Sequence, residues 1–134
     1  MVAAVIALLR RLLLSAEPGL HVQLDVPKDS KVSCSLYEPS AAKAYPKDAR
    51  RAKSVIWCSE SGRCDFGALP SGTYAVACFH DLNRNGVLDR GMFGIPSEPT
   101  VASNHAKGFM GPPSFDDAKF TFDGELTLQL KFDK

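Results

Sequence analysis

From residue 20 onward the chain is dominated by short runs with a two-residue period. In LHVQLDV (20–26), Leu20, Val22, Leu24 and Val26 alternate with His21, Gln23 and Asp25. KVSCSLYE (31–38) repeats the alternation with Val32, Cys34 and Leu36. Successive side chains of a strand point to opposite faces, so each run reads as a half-buried strand. PKDSK between them is turn chemistry, and the two runs read as a hairpin. KSVIWC (53–58) and RCDFGAL (63–69) read as strands facing each other across SESG, and TYAVACFH (73–80) as a strand rich in aromatic and β-branched residues. AKFTF (118–122) and ELTLQLKF (125–132) read as a closing hairpin about Asp123–Gly124. PSAAKAYPKDARRA (39–52) reads as a loop with a short helical turn. About seven strands and no convincing internal helix make an all-β chain. The expected architecture is an antiparallel immunoglobulin-like or prealbumin-like β-sandwich with one long irregular loop; a five-strand barrel is the alternative. The expected core comprises Val22, Leu24, Val32, Leu36, Ile56, Trp57, Phe66, Tyr74, Val76, Phe120, Leu126, Leu128 and Leu130.

The chain has 134 residues, enough for one domain with a core of its own. A net charge of +1 excludes the basic field that nucleic-acid binding needs. KDARRAK (47–53) reads as a solvated loop. The segment MVAAVIALLRRLLLSAEPG is too short and too interrupted to span a bilayer, which takes about 20 apolar residues. Residues 1–16 read as a secretory signal peptide ending at Ser15–Ala16, with residues 17–134 as the sandwich domain. An amphipathic helix is the rival, since Val2, Val5, Ile6, Leu9, Leu12 and Leu13 recur at helical spacing. Four cysteines, an even count, support export to a secreted or periplasmic location. Cys58 and Cys64 flank a polar turn, where a disulfide closes a hairpin. Cys34 and Cys78 lie in step with apolar residues of their strands, point inward and form the favoured second pair, one of three possible connectivities. Buried free thiols are the alternative.

HDLNRNGVLD (80–89) is the stretch richest in potential ligands. Counted from Asp81, oxygens fall at positions 1, 3, 5, 7 and 9, from Asp81, Asn83, Asn85, the Val87 carbonyl and Asp89, with Gly86 at the sharp turn. That is a calcium-loop layout without its bidentate Glu, because position 12 is Met92. Two carboxylates imply a weak structural Ca²⁺ site, in the roughly 0.1–1 mM class, unless Glu98, Asp116 or Asp117 folds back. A self-bonded Asx-turn holding no ion is the competing reading. His80 and Asp81 suggest a hydrolase, with Ser103 or Ser114 as nucleophile. No Gly-x-Ser-x-Gly supports it, and adjacent strand residues face opposite ways. Loop anchoring is the preferred role for His80; His21 and His105 read as solvated. From 81 to 117 the chain is rich in Gly and Pro and loses its period, the mark of a functional loop. Within it Asn104, Phe109, Met110 and Phe115 form a candidate recognition loop. Its apolar members either tuck into the end of the sandwich or present a patch to a partner.

LPSGTYAVACFHDLNRNGVLD (69–89), GIPSE (94–98) and SNHAKGFMGPPSFDDAKF (103–120), in that order, resemble the bacterial family catalogued as domain of unknown function 2141. The resemblance runs from about residue 20 to 132. It implies a small exported sandwich protein and no established activity. This chain departs from the pattern at SEPTVASNHA and in its extra cysteines. The resulting expectation is a non-catalytic binding or structural module of the cell envelope whose partner is an envelope protein or glycan, with no nucleic acid and no membrane span once the signal is removed.

Overall fold

A computed structural model describes residues 18–91, 96–109 and 111–132. The segment read as a signal peptide, position 12 of the calcium-type loop and Met110 lie outside them. Among the described residues, eight strands form two sheets. They are β1 (Gly19–Leu24), β2 (Val32–Tyr37), β3 (Ser54–Trp57), β4 (Arg63–Gly67), β5 (Gly72–His80), β6 (Thr100–Ala102), β7 (Phe120–Phe122) and β8 (Glu125–Leu130). The smaller sheet runs β4-β1-β8 and the larger β3-β2-β5-β6, with β7 pairing β5 beyond β6. Pairing is antiparallel except between β1 and β8, which run parallel in the register Leu20↔Leu126 to Leu24↔Leu130. The all-β antiparallel sandwich is therefore the observed class, with one parallel pair where the two ends of the described chain meet.

Three expected pairings are corrected. β1 and β2 do not form a hairpin: β1 pairs β4 and β8, whereas β2 pairs β3 and β5. β3 and β4 likewise fall in different sheets, as do β7 and β8. A period of two specifies which residues share a face; it does not specify the neighbouring strand. Each of these turns carries the chain over the core from one sheet to the other.

The core fills the space between the sheets. Leu20, Val22 and Leu24 of β1 meet Val32, Cys34 and Leu36 of β2 and Tyr74, Val76 and Cys78 of β5, with Phe122 and Leu130. Ile56, Phe66, Phe120, Leu126 and Leu128 pack at its margin. Trp57, expected inside, is 47% exposed. Ile56 faces the core, so its neighbour must face outward. His21, expected in solvent, is buried, and its Nδ1 lies 2.6 Å from Asp65 Oδ1. Partial burial pushes the Asp65 carboxyl up, but hydrogen bonds from His21 and Arg63 outweigh it and hold it below the usual carboxylate range.

Both expected disulfides are formed. Cys34–Cys78 joins register partners of β2 and β5. Cys58–Cys64 links the end of β3 to β4 and so ties the two sheets together instead of closing a hairpin. Gly62 makes this turn possible: its φ is +84°, and a Cβ would stand 2.5 Å from the Leu24 carbonyl oxygen.

A second cluster lies on the outer face of the larger sheet. Tyr37, Tyr45, Ala75, Ala102, Phe115 and Ala118 are buried there, under the helical turns Pro39–Ala44 and Phe115–Ala118. Tyr45 packs edge-on against Tyr37 at 5.0 Å and Phe115 at 6.1 Å between ring centroids. Its hydroxyl donates to the Val76 carbonyl at 2.7 Å. Burial, with a smaller contribution from nearby Asp48, pushes the Tyr37 hydroxyl up to about 12. Burial raises Tyr45 further.

Candidate functional site

The second cluster covers one end of the outer face of the larger sheet. At the other end Ser33 and Ser35 of β2, Val55 and Trp57 of β3, Ala77 and Phe79 of β5 and Thr100 of β6 line an open groove of about 1430 Å³. Residues 46–49 form one wall, and parts of 82–90, 96–99 and 105–113 the other. The indole of Trp57 meets the Phe79 ring edge-on at 6.2 Å. Ser33 is the register partner of both, so the two rings stand on either side of it. The apolar surface continues into Leu82 and Val87, each 59% exposed. Lys47, Arg90 and Lys107 also line the groove.

The loop that follows β5 braces this groove. Asp81 is 1% exposed, its Oδ1 accepting from Asn85 N at 3.2 Å and its Oδ2 from Gly86 N at 2.8 Å. Asn83 Oδ1 accepts from Asn85 N at 3.3 Å, and Asn85 Oδ1 from Val87 N at 3.1 Å. These are Asx-turn bonds, and Gly86 takes the positive φ of +86° that the turn needs. Both Asn side-chain amides donate to the Asp89 carboxylate, Asn85 Nδ2 at 2.9 and 3.1 Å to its two oxygens. Glu98 does fold back, accepting from Leu82 N at 2.7 Å and Asp89 N at 3.0 Å. Asp116 and Asp117 instead sit in the helical turn at 115–118. Lys31 couples loop to groove: its Nζ lies 4.0 Å from Asp81 Oδ2 and 4.5 Å from the centroid of the Trp57 ring.

The remaining candidates divide. Phe109 is exposed, as a recognition residue must be. Phe115 is buried in the second cluster, so it takes the tucked-in alternative. Asn104 serves the backbone, donating to the Asp117 and Lys119 carbonyls at 3.3 and 2.7 Å. Asp81 spends its carboxylate on the loop backbone, and the His80 ring lies 5.9 Å from that of Phe132. The Ser103 hydroxyl is buried, accepting from Val76 N at 3.0 Å and donating to the Ala118 carbonyl at 2.6 Å. Ser114 Oγ accepts from Asp117 N at 3.1 Å. His105 Nε2 accepts from Lys131 N at 3.2 Å. Among the described residues, the one group of three or more side chains placed to hold a metal is Cys34, Cys58 and Cys64, all engaged in disulfides. Sequence reasoning missed the groove because it is assembled from several strands and loops; the exposed parity of Trp57 next to Ile56 was the available signal.

Fold and site together define a small, doubly disulfide-bonded β-sandwich with an open aromatic groove on one sheet face. The chain belongs to the family described as uncharacterized protein conserved in bacteria (DUF2141), whose model matches residues 24–129. No curated protein and no solved structure matches it.

Proposed function

We propose that the protein is an exported, non-catalytic binding module of the cell envelope and that its groove takes a glycan. The observation that carries this is Trp57, 47% exposed beside Phe79 on a sheet face whose other end is sealed. An exposed indole beside the half-buried Phe79 ring suits the apolar face of a sugar ring, and the hydroxyls of Ser35 and Thr100 suit its edges. Among the charged side chains, Lys47, Arg90, Glu98 and Lys107 line the walls around the sheet floor. An envelope protein seated on the same face is the second reading, favoured by the exposure of Phe109. Two disulfides fit an oxidising location, and among the described residues no helix is long and apolar enough to cross a membrane. The loop at 81–89 adds a weak, structural Ca²⁺ site through Asp81, Asn83, Asn85, Val87 and Asp89. The engagement of the Asp81, Ser103 and Ser114 side chains supports a binding role over a hydrolase built on His80 and Asp81.

Trp57 is the sole tryptophan, so its emission reports on the groove directly. Titration with uronate and neutral oligomers should shift that emission saturably with at least one of the two classes. Immobilised Trp57→Ala protein should fail to retain envelope material that the parent retains. Unchanged emission with every oligomer, together with identical retention by parent and variant, would remove the groove as the binding surface.

A further inference from the structure

We propose that the two disulfides form an exchange pair in which Cys58–Cys64 is the entry site for a dithiol reductant and Cys34–Cys78 its internal acceptor. Cys34 Sγ lies 3.6 Å from Cys64 Sγ and 3.6 Å from Cys58 Sγ, so sulfurs of separate bridges are in van der Waals contact. Access differs sharply between the bridges. Cys34 and Cys78 are 0% and 3% exposed inside the sandwich. Cys58 is only partly buried, at the mouth of the surface turn Ser59–Gly62.

Thiol–disulfide exchange requires a thiolate to reach a disulfide sulfur. A dithiol thiolate attacks Cys58 Sγ, forming a mixed disulfide and releasing the Cys64 thiolate. That thiolate is already against Cys34. Its attack forms Cys34–Cys64 and breaks Cys34–Cys78, and the Cys78 thiolate that leaves takes up a proton. The second thiol of the reductant then attacks the mixed disulfide, freeing Cys58 and leaving the reductant as a disulfide. One dithiol is oxidised and one protein disulfide is reduced. The product has a bridge between β2 and β4 across the core, with thiols at Cys58 and Cys78. A buried bridge that no external thiol touches is thus opened through a surface one.

The test is brief treatment of the folded protein with dithiothreitol, alkylation, and mapping of labelled cysteines by mass spectrometry. The expected first product carries label on Cys58 and Cys78 and retains a Cys34–Cys64 bridge. In the Cys58→Ser/Cys64→Ser protein, Cys34–Cys78 should resist reduction, by about tenfold or more in rate, while Trp57 emission verifies folding. A first product labelled on Cys58 and Cys64 alone, with Cys34–Cys78 intact, overturns the proposal. So does reduction of Cys34–Cys78 in the double variant at the parent rate. If the double variant does not fold, the mapping on the parent chain decides by itself.

Discussion

The two ends of one sheet face behave differently. At one end Tyr37, Tyr45 and Phe115 are buried under two helical turns, with their rings in edge-on contact. At the other, Trp57 and Phe79 meet in the same edge-on way, yet among the described residues Trp57 stays half in solvent with no element over it. The first arrangement is a satellite core, and stability accounts for it. The second leaves apolar surface in water, which folding alone does not select. Aromatic contact by itself therefore does not separate structure from function on this molecule; the presence or absence of a covering segment does.

Truncation should break that comparison most sharply. Phe115→Ala removes a ring that fills the satellite core and should cost about 3–5 kcal/mol. Trp57→Ala, at the open end, should cost about 1 kcal/mol or less, mostly its contact with the Lys31 ammonium. Urea denaturation read by far-UV circular dichroism measures both. Equal losses would mean that the groove rings are structural, and the distinction between the two ends would fail.

The face assignments were legible in the sequence because alternation is local: Leu20, Val22, Leu24, Val32, Cys34, Leu36, Tyr74 and Val76 all fall where the period of two puts them. Strand neighbours were not legible. The short linkers between β1 and β2, β3 and β4, and β7 and β8 suit a hairpin or a step between sheets equally well, and the composition of a turn does not record which. The satellite core was hidden for another reason. Tyr45 and Phe115 sit at short helical or irregular positions with no period, and they meet only after the sheet forms. The Asx-turn at 81–89 was legible only as the competitor of an ion site; its backbone bonds span two to five residues, whereas the Glu98 contacts that close it come from beyond the next turn.

Asp81→Asn sharpens the link between loop and groove. An Asn at this position replaces one acceptor oxygen with an NH₂ donor, which leaves Gly86 N without its partner or Asn85 N with Asn83 Oδ1 alone. The expected cost is about 1–3 kcal/mol. The same change removes the charge that faces the Lys31 ammonium, so Trp57 emission should shift even in native buffer. A lowered urea midpoint with unaltered emission would show that loop and groove are independent.

Alkali probes the sealed end alone. The Tyr37 hydroxyl stands at about 12 against an ordinary 10.0, and burial also raises Tyr45. Between those values the unfolded chain has lost the Tyr37 proton and the folded chain keeps it. The folded state then binds more protons, so stability falls as pH rises through that window. The phenolate absorbance of Tyr37 and Tyr45 should grow together with the loss of circular dichroism. Ionisation of both well before unfolding would mean the satellite core is open to solvent.

Calcium should give the smallest effect. Asn83 and Asn85 already direct their amides at the Asp89 carboxylate, so an ion must displace those bonds and turn amide oxygens inward before it binds. An exchange of existing partners for new ones gives weak binding. With a Kd of about 1 mM, CaCl₂ at about 5 mM stabilises the fold by about 1 kcal/mol. The shift should vanish in Asp89→Ala, which removes the carboxylate that both amides hold. It should persist in Phe115→Ala, where the loop is untouched. No change in melting temperature up to several millimolar would leave the decamer as a purely self-bonded brace, and the groove would depend on hydrogen bonds alone for its shape.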